Sequence, residues 1–453
     1  MKTKQKTAAL LGFGRSNGAV LDYLAGKGYA CTVYSEAPLR ETDATALAAR
    51  GIEVSVGKFP LRFSEALLVR SPGLRPDRAE ILASVEAGSV LTDETALMRE
   101  ALPVPLVGIT GSDGKTTTAN LVSALLAGAG YRAFLGGNNG VPLLPRIGEM
   151  RAGDFAVAEL SSFQLMTLPR AADYAVITNV TPNHLNWHVD MTEYQAAKCR
   201  IFGKETYLVL NAENEITRRI AAARAQLCPI AATVLFAIKE RAVAGCADAV
   251  FPREGAVIYR RAGREQRFDC LADFRLPGRH NLENLLAALA LTLPITGGAG
   301  LKALCEFSGV PHRLQRVAAV AGVTYINSSI DTSPTRTAAA LSALGGRPLV
   351  IVGGRGKGIS FAPLGDALAA RAKAVFLYGE AAEEIATAIG GRVPLLVCDR
   401  FAEAFWGAAR AAERGDTVLL SPGCTAFGEF RDFEERGETF CRLVEEAKNF
   451  HSN

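Results

Sequence analysis

One stretch, LVGITGSDGKTTTANLV at positions 106–122, constrains the fold of this chain more than any other. Its apolar start at 106–109 is long enough for one buried strand, and residues 117–126 favour a helix. The glycine-containing turn between them ends in Lys115 and Thr116, a pattern typical of phosphate-binding loops. In such loops, backbone N–H groups and the positive end of a helix converge on phosphate oxygens. The stretch therefore predicts an ATP- or GTP-binding α/β domain.

The predicted phosphate-binding residues share this turn and the start of the helix: Gly111, Ser112, Asp113, Gly114, Lys115, Thr116 and Thr117. We expect the Lys115 amine to reach the terminal phosphates and the Thr116 hydroxyl to bind Mg²⁺. The glycine spacing departs from the usual pattern, because Ile109 stands where a glycine is usual. A tight strand–helix turn with a solvated lysine is therefore the alternative interpretation.

The composition describes an ordinary globular protein: 453 residues, 49% hydrophobic and 21% charged, with a net charge of +4. At about 150 residues per domain, this length predicts three domains. The weak charge indicates no nucleic-acid or membrane partner, and no apolar run approaches the ~18–20 residues of a membrane span. The nine cysteines form no C-x-x-C pair, as is typical of reduced thiols in a cytoplasm. We expect a cytoplasmic protein that acts as a monomer.

The first segment begins with a strand that runs into a glycine turn at Gly12, with Gly18 shortly after it. A helix at 19–27 and a strand at 30–34 complete a pattern like the first βαβ unit of a dinucleotide-binding fold. The turn is expected to hold a diphosphate near the helix N-terminus. Glu36 lies where a ribose-binding acid would end the second strand, so an NAD site stays open, as does a glycine turn that serves only packing.

The second segment alternates strands and helices, which predicts a mostly parallel sheet. Three polar clusters, at 136–140, 159–164 and 179–184, each follow a predicted strand. Because ligands gather at the carboxyl ends of parallel strands, we expect these clusters to lie near the phosphate-binding loop.

Two of these clusters contain candidate metal ligands. Glu159 ends an apolar strand, where an unpaired carboxylate is costly and a Mg²⁺ shared with Thr116 would offset that cost. A partly exposed acid is the alternative. His184 and His188 have the spacing of a zinc pair, but no third ligand is evident.

Two helices carry further polar candidates. Residues 196–202 are typical of an ordinary amphipathic helix with Lys198 on its surface. A long Ala/Leu helix opens after Gly278, and Asn281 and Asn284 lie one turn apart on it. Helix capping explains one asparagine but not both.

The third segment repeats the α/β pattern. Strands predicted at 323–327, 349–352 and 417–420 each end in polar residues, which indicates a second doubly wound sheet. The glycine-rich turn at 353–358, with Arg355 and Lys357, is predicted to hold an anion. The irregular stretch at about 240–275 is expected to be a small β excursion.

Several motifs follow one another along almost the whole chain: GITGSDGKTTT, LGGNNG, ELSSFQL, NVTPNHLNWH, AAKCRIF, GRHNLENLLAA, VPHRL, GGRGKG and LLSPGC. Together they resemble the Mur ligase family of peptidoglycan synthesis. ELSSFQL favours the D-glutamate-adding branch, and the Asp-Asn-Pro-Arg motif of the diamino-acid-adding relatives is absent from the sequence. The resemblance implies an ATP-dependent amide ligase that adds D-glutamate to UDP-N-acetylmuramoyl-L-alanine through an acyl phosphate.

The resemblance also implies an α/β architecture of three domains. These are a Rossmann-like UDP-substrate-binding domain at 1–103, a central P-loop-type ATPase domain with a mostly parallel sheet at 104–310, and a Rossmann-like C-terminal domain at 311–453. The last domain would bind the amino acid and part of the nucleotide.

Residue roles are implied in the same way. Thr116 and Glu159 would hold one Mg²⁺, and His184 with a CO₂-carbamylated Lys198 a second. The catalytic residues would be Lys115, His184 and Lys198, and the adenine nucleotide would contact Asn281, Asn284 and Arg313. The residues implied to bind the UDP-linked substrate or D-glutamate are Gly14, Arg15, Ser16, Asn138, Ser161, Gln164, Thr332, Lys357 and Phe433.

The sequence departs from the family pattern in the third segment. Ser328 and Ile330 stand where the family usually has Asp and Lys, with Asp331 as a possible substitute. Ala426 replaces a serine, with Thr425 beside it. A sister Mur ligase or a folylpolyglutamate synthase is the near alternative, although the latter lacks the N-terminal domain. An NAD(P)-dependent oxidoreductase or a regulatory nucleotide-binding module is the alternative from another class.

Overall fold

The computed structural model describes residues 6–228, 232–276, 278–307, 309–356 and 358–452. The chain forms two compact units, Met1–Phe307 and Ser308–Asn453. The first unit contains two sheets and the second contains one, so each predicted segment has its own sheet. This arrangement confirms the α/β fold class with mostly parallel strands.

The first sheet has the strand order β3-β2-β1-β4-β5, and all its pairings are parallel. Its strands are β1 Thr7–Leu11, β2 Ala30–Ser35, β3 Glu53–Val56, β4 Leu67–Arg70 and β5 Val90–Thr92. Its helices are α1 Arg15–Ala25, α2 Glu41–Ala49, α3 Ala79–Glu86 and α4 Glu94–Ala101. The strand order reverses between β1 and β4, and such a reversal opens a crevice at the carboxyl ends of the strands.

The α1 helix begins at Arg15, four positions before the predicted start, with Gly14 as its N-cap residue. The polar residues Ser16 and Asn17 obscured this start, because such side chains usually indicate a loop. In the structure the Asn17 amide turns inward and donates to the carbonyl oxygens of Leu11 and Gly12 at the end of β1.

The central sheet has nine strands in the order β14-β13-β12-β11-β10-β9-β6-β8-β7. They are β6 Leu106–Thr110, β7 Ala133–Gly137, β8 Phe155–Glu159, β9 Tyr174–Ile177, β10 Tyr207–Asn211, β11 Thr233–Phe236, β12 Ala249–Arg253, β13 Ala256–Arg261 and β14 Arg264–Phe268. The strands from β7 to β12 pair in parallel, whereas β12–β14 pair antiparallel. The predicted β excursion is confirmed, and it continues the central sheet.

The helices of this segment cover both faces of the sheet. They are α5 Lys115–Gly128, α6 Ser162–Leu165, α7 Met191–Cys199, α8 Glu215–Leu227 and α9 Arg279–Thr296, with 3₁₀ turns at Leu144–Glu149, Glu240–Val243 and Leu301–Cys305. The α9 helix is buried almost all round from Asn284 to Leu293, as expected of an Ala/Leu helix with no polar face. It packs with α5 over the same core, so it holds the phosphate-binding loop from one side.

A buried arginine of the first sheet also contacts the central segment. The Arg70 guanidinium, at the end of β4, bonds to the Asp93 carboxylate at 3.1 Å and to the Thr167 hydroxyl at 2.9 Å. It also donates to the Phe163 carbonyl oxygen. Arg70 and Asp93 are both fully buried, and the bonds from Arg70 to Phe163 and Thr167 hold the end of β4 against the segment that follows β8.

The second unit contains the third sheet, with the order β15-β16-β20-β17-β18-β19. Its strands are β15 Gln315–Val320, β16 Val323–Asn327, β17 Leu349–Gly353, β18 Ala374–Tyr378, β19 Leu395–Cys398 and β20 Thr417–Gly423. Its helices are α10 Pro334–Ala343, α11 Ala362–Arg371, α12 Ala382–Ile389, α13 Phe401–Ala411 and α14 Phe433–Ser452. All pairings except β15–β16 are parallel, which confirms the predicted doubly wound sheet.

Within the described residues, no helix combines the length and apolar character that crossing a membrane requires.

Candidate active site

The phosphate-binding loop joins β6 to α5 in a conformation that only glycine tolerates at two positions. Gly111 has φ 151°, and a Cβ placed on it would lie 1.9 Å from Thr178 Oγ1. Gly114 has φ 81°, and its Cβ would lie 2.2 Å from Asn284 Oδ1. The loop therefore runs in close contact with the residues after β9 on one side and α9 on the other.

The residues after β9 hold the loop through a series of hydrogen bonds. The Ser112 and Asp113 N–H groups donate to the Asn179 carbonyl and side-chain oxygens at 2.9 and 3.0 Å. The Thr178 hydroxyl donates to the Asp113 carbonyl oxygen at 2.6 Å, and Thr181 N–H donates to Ser112 Oγ at 2.9 Å. These bonds fix the shape of the loop.

Two lysines converge on one carbonyl oxygen of this loop. Lys115 Nζ donates to Gly111 O at 3.0 Å and to Ser112 O at 3.0 Å. Lys198 Nζ, from α7, donates to the same Gly111 O at 2.8 Å. The structure therefore brings together the two lysines that the sequence placed far apart.

Lys198 is 1% exposed, so the prediction of a surface lysine on an ordinary amphipathic helix is wrong. Its ammonium lies 4.5 Å from the ring centre of Tyr194, one helical turn earlier. Burial, followed by the charge of Lys115, lowers the Lys198 pKa to about 7. A large fraction of this amine is therefore neutral near pH 7, and a neutral amine is a nucleophile.

Tyr194 was missed by the sequence reasoning. Its hydroxyl lies 3.0 Å from Ser112 Oγ, so it contacts the phosphate-binding loop as well as Lys198. Tyr194 and Lys198 are four residues apart on α7 and hence share a face, and this spacing is the signal that could have found the pair.

Glu159 ends β8 beside the phosphate-binding strand, because its register partner on β6 is Ile109. It is 3% exposed, so the alternative of a partly exposed acid is wrong. Oε1 accepts from Asn138 Nδ2 at 2.9 Å, while the buried Oε2 has no hydrogen-bond partner among the described residues. An unpaired buried carboxylate oxygen is costly, and a divalent cation would compensate it.

The two histidines have different environments. His184 is exposed at the surface in a left-handed conformation (φ 56°). Its pKa is lowered by partial desolvation of the ring and then by the charges of Lys115 and Lys198. His188 is buried, with Nδ1 2.8 Å from Glu193 Oε2 and Nε2 2.9 Å from Ser162 Oγ. The two do not form a zinc pair, and no cluster of three or more His, Cys, Asp or Glu side chains suited to a metal occurs in the described part of the chain.

The residues after β8 form a short capping box. Ser161 Oγ accepts from Gln164 N–H at 3.3 Å, and Gln164 Oε1 accepts from Ser161 N–H at 3.0 Å. Gln164 is buried. Both side chains therefore shape the start of α6, directly after the carboxylate of Glu159.

The Gly12 turn lies at the crevice between β1 and β4. Asn17, which the sequence reasoning did not single out, fills the space beneath it and donates to Gly12 O at 2.7 Å and Ser71 Oγ at 3.2 Å. A Cβ on Gly140 would lie 3.0 Å from Arg15 Nη1. The start of α1, with Gly14, Arg15 and Ser16, therefore lies close to the loop that contains Asn138.

The two asparagines of α9 do not cap the helix, because its N-cap residue is Gly278 and the helix start has no side-chain capping hydrogen bond. The explanation of one of them by capping is therefore wrong. Asn284 is buried against Gly114, and its Oδ1 accepts from the Thr118 hydroxyl at 3.4 Å. Asn281 lies one turn earlier, so both belong to the end of α9 that meets the phosphate-binding loop.

In the second unit, several predicted residues surround the end of β16. Arg313 is exposed, Thr332 is partly buried, and the Phe433 carbonyl accepts from Ser329 Oγ at 2.8 Å. Asp331 is buried, and its carboxylate accepts from Ser421 Oγ at 2.8 Å, so it serves the interior of this unit. Lys357 lies outside the described residues.

Two further side chains of the predicted binding surface in this unit already have partners. The Arg355 guanidinium pairs with the Glu380 carboxylate at 2.7 Å, which offsets the charge expected to attract an anion. The Thr425 hydroxyl donates to the Arg355 carbonyl oxygen at 2.9 Å.

Comparison with known proteins adds the following. The Mur ligase middle domain matches residues 109–292, and the Mur ligase glutamate ligase domain matches residues 312–424. A UDP-N-acetylmuramoylalanine–D-glutamate ligase of Symbiobacterium thermophilum is 40% identical, over 97% of this chain and 98% of the relative. One of Acetivibrio thermocellus is 36% identical, over 98% of this chain and 97% of the relative.

Solved structures share the fold. UDP-N-acetylmuramate-alanine ligase from Thermotoga maritima superposes with a TM-score of 0.54 at 20% identity, covering 98% of this chain and 100% of that one. A UDP-N-acetylmuramoyl-L-alanyl-D-glutamate–2,6-diaminopimelate ligase superposes with a TM-score of 0.56 at 15% identity, covering 93% of each chain.

Proposed function

We infer from these matches, which show that this chain belongs to the Mur ligase family, that it is an ATP-dependent amide ligase of peptidoglycan precursor synthesis. It joins D-glutamate to UDP-N-acetylmuramoyl-L-alanine and forms ADP and phosphate. The observation that carries the chemistry is the convergence of Lys115 and Lys198 on Gly111 O, which puts a buried, low-pKa amine beside a preformed phosphate-binding loop.

The reaction begins with activation of a poor electrophile. A carboxylate oxygen of the UDP-linked substrate attacks the γ-phosphorus of ATP, the bond from phosphorus to the β,γ-bridging oxygen breaks, and ADP leaves. Lys115 and the N–H groups of 111–117 neutralise the charge that spreads over the phosphoryl oxygens. Asn281, Asn284 and Arg313 bind the adenine nucleotide.

Thr116 and Glu159 would hold one Mg²⁺, and the unpartnered Oε2 of Glu159 supports this assignment. When bound, the cation stabilises negative charge on phosphate oxygens. His184 and Lys198 would hold a second one, with Lys198 as a carbamate.

The carbamate of Lys198 forms when the neutral amine attacks the carbon of CO₂ and loses a proton. The step changes the neutral side chain to a negatively charged one and creates oxygen ligands of the kind Mg²⁺ prefers. The change also removes the repulsion between two ammonium groups that share Gly111 O. The burial of Lys198 and its pKa of about 7 support the proposal.

The second step forms the amide. The neutral amine of D-glutamate attacks the acyl phosphate, a tetrahedral intermediate forms, and phosphate leaves as the amine loses its proton. Thr332, Lys357 and Phe433 contact D-glutamate. Residues of the first unit bind the UDP-linked substrate: Gly14, Arg15, Ser16, Asn138, Ser161 and Gln164.

We divide the chain into the three domains given above, at 1–103, 104–310 and 311–453, and propose that it acts as a cytoplasmic monomer. None of the nine cysteines, all of which the structure describes, forms a disulfide bond, and this supports a reducing compartment. Size-exclusion chromatography with light scattering tests the oligomeric state.

Phosphate release from ATP with UDP-N-acetylmuramoyl-L-alanine tests the function. D-Glutamate, L-lysine, meso-diaminopimelate or no amino acid is added in parallel. Release that depends on D-glutamate is expected. Release with another amino acid would make the chain a sister ligase with the same mechanism, and no release with any of them would contradict the proposal.

A further inference from the structure

A short loop after β4 contacts both the turn at Gly12, which is predicted to bind the UDP group, and the segment 184–193. We call this segment the catalytic segment because it contains His184. We call residues 71–75 the bridging loop. At its first residue, Ser71 Oγ accepts from Asn17 Nδ2 at 3.2 Å, beneath the Gly12 turn. At its last residue, Arg75 extends across to the segment between β9 and α7. One end of the loop therefore contacts a residue beside the predicted UDP-binding turn. The other end contacts the segment that contains His184.

Arg75 is bound tightly at that far end. Its Nη1 donates to the Trp187 carbonyl oxygen at 2.6 Å, and its two terminal nitrogens reach the Glu193 carboxylate oxygens at 2.8 and 3.1 Å. The guanidinium also lies 5.0 Å from the Trp187 ring centre, and Trp187 Nε1 donates back to Gly73 O at 2.8 Å. Because two guanidinium nitrogens contact the two oxygens of one carboxylate, the contact pairs the charges and also fixes the orientation of both side chains.

Asp77 holds the same guanidinium from its own side of the contact. Its carboxylate accepts from Arg75 Nε at 2.8 Å and from Nη2 at 2.6 Å. The Arg75 guanidinium is therefore oriented by Asp77 as well as by Glu193. A lysine could replace the charge but not this planar set of donors.

Glu193 connects Arg75 to other residues of the catalytic segment. Its Oε2 accepts from Val189 N–H at 3.0 Å and from His188 Nδ1 at 2.8 Å, since a carboxylate only accepts. His188 Nε2 then lies 2.9 Å from Ser162 Oγ, next to the capping box after β8. The segment 184–193 is thus held at its middle, through 187–189, and at its last residue, Glu193.

We propose that Arg75 is a positioning residue of the ligase. It fixes the segment 184–193, which begins with His184 and leads into the helix of Tyr194 and Lys198, against the bridging loop. The proposal rests on the proposed function, because it treats His184 and Lys198 as parts of the catalytic site. It adds a residue of the bridging loop that acts through other side chains and has no assigned role in binding ATP or the reacting carboxylate.

The matched control is Arg253, on β12. Its side chain is 34% exposed and bonds to two carboxylates, Glu240 and Glu265, whereas that of Arg75 is 22% exposed and bonds to Asp77 and Glu193. Loss of Arg253 therefore removes a similar ion-pair set far from the catalytic segment.

The first experiment compares Arg75→Ala, Arg75→Lys and Glu193→Gln with Arg253→Ala in the full chain. We expect Arg75→Ala to lower kcat by about tenfold or more, since a misplacement of about 1 Å can cost up to about 10²-fold. The KM for ATP is expected to change by less than about threefold, because the substitution removes no interaction that binds ATP in the ground state. Arg75→Lys is expected to recover part of kcat, and Arg253→Ala to match the wild type.

Two outcomes of this experiment overturn the proposal. One is a wild-type kcat in Arg75→Ala. The other is a kcat loss in Arg75→Ala that Glu193→Gln does not share, because the constraint passes through that carboxylate.

The second experiment needs no turnover. Trp187 is one of only two tryptophans, so Trp406→Phe leaves it as the single indole reporter. In that background we expect Arg75→Ala to lower the fluorescence anisotropy of Trp187 and Arg253→Ala to leave it unchanged. An unchanged anisotropy in Arg75→Ala overturns the positioning role. A wild-type enzyme that is inactive with D-glutamate would overturn only the proposed function.

Discussion

Two turns of the first unit share a local pattern and differ in how they are held. In each, a glycine N-cap precedes a basic residue that opens a helix: Gly14 and Arg15 for α1, Gly114 and Lys115 for α5. Lys115 folds back over its own loop, whereas Arg15 lies near Gly140 of the next sheet. The same sequence feature thus directs one charge onto its own loop and the other to a neighbouring loop.

The supports of the two turns also differ. The phosphate-binding loop is held from outside, by the residues after β9 and by Asn284. The Gly12 turn is held from beneath, by Asn17 of its own helix. A glycine turn before a helix therefore predicts an anion site, but its partners decide which ligand it serves.

The largest expected effect comes from removing the charge that folds over the phosphate-binding loop. Lys115→Ala should lower kcat by at least about 10²–10³-fold, the range seen when one donor to a developing charge is lost. Phosphate release measures it, with the exposed Lys302→Ala as the control. Near-normal turnover in Lys115→Ala would mean that the loop serves only packing, which is also the alternative interpretation of the Gly12 turn.

Lys198→Ala should be almost as damaging, with a loss of about 10²-fold or more, because its carbamate would supply metal ligands. A small carboxylate such as formate should restore part of the activity. Full activity without the carboxylate would contradict the carbamate.

The pH dependence follows from the same amine. Lys198 has a pKa of about 7, so its neutral fraction, and with it the CO₂ adduct, grows as pH rises through that value and is lost below it. Activity should therefore fall on the acid side of pH 7, and removal of dissolved CO₂ should lower it at any pH. ¹³C NMR with labelled bicarbonate should show a carbamate carbon that is absent from Lys198→Ala.

The two turns can be broken separately by adding one methyl group. Gly114→Ala meets the Asn284 side chain at 2.2 Å and should raise the KM for ATP by about tenfold or more, given a strain of roughly 1–3 kcal/mol. Gly12→Ala meets Ser71 Oγ at 2.7 Å and should instead raise the KM for the UDP-linked substrate. Steady-state kinetics with each substrate varied in turn separates them, and a shared effect on both KM values would remove the distinction.

The smallest effect is expected at Arg15. Arg15→Ala should raise the KM for UDP-N-acetylmuramoyl-L-alanine by about three- to tenfold, as expected for one exposed charged contact, with kcat unchanged. The same kinetic assay measures it. A fall in kcat would mean that Arg15, like Lys115, acts in the chemical step.

The sequence predicted those parts of this site that depend on neighbours in the chain. The phosphate-binding loop, the polar strand ends around Glu159 and His184, and all three sheets follow from local patterns of glycine and apolar residues. The burial of Lys198 did not, because it depends on Tyr194 and on a loop far away in sequence. Asn17 was missed for a similar reason, since its bonds to β1 and Ser71 form only when the sheet has assembled.

The buried pair of Arg70 and Asp93 has a consequence for how the molecule melts. Separating the first sheet from the central one would leave this pair intact but exposed to water, and it would remove the Arg70 bonds to Phe163 O and Thr167 Oγ1. Hydrogen bonds to charged groups contribute about 1.5–3 kcal/mol each. The two sheets of Met1–Phe307 should therefore unfold in a single calorimetric transition, since they also share a core: Leu10 of β1 and Ala158 of β8 belong to the same buried apolar cluster. By the same reasoning, a fragment truncated after the first sheet should be far less stable than its size suggests, whereas one truncated at the boundary of the two compact units should keep a cooperative transition.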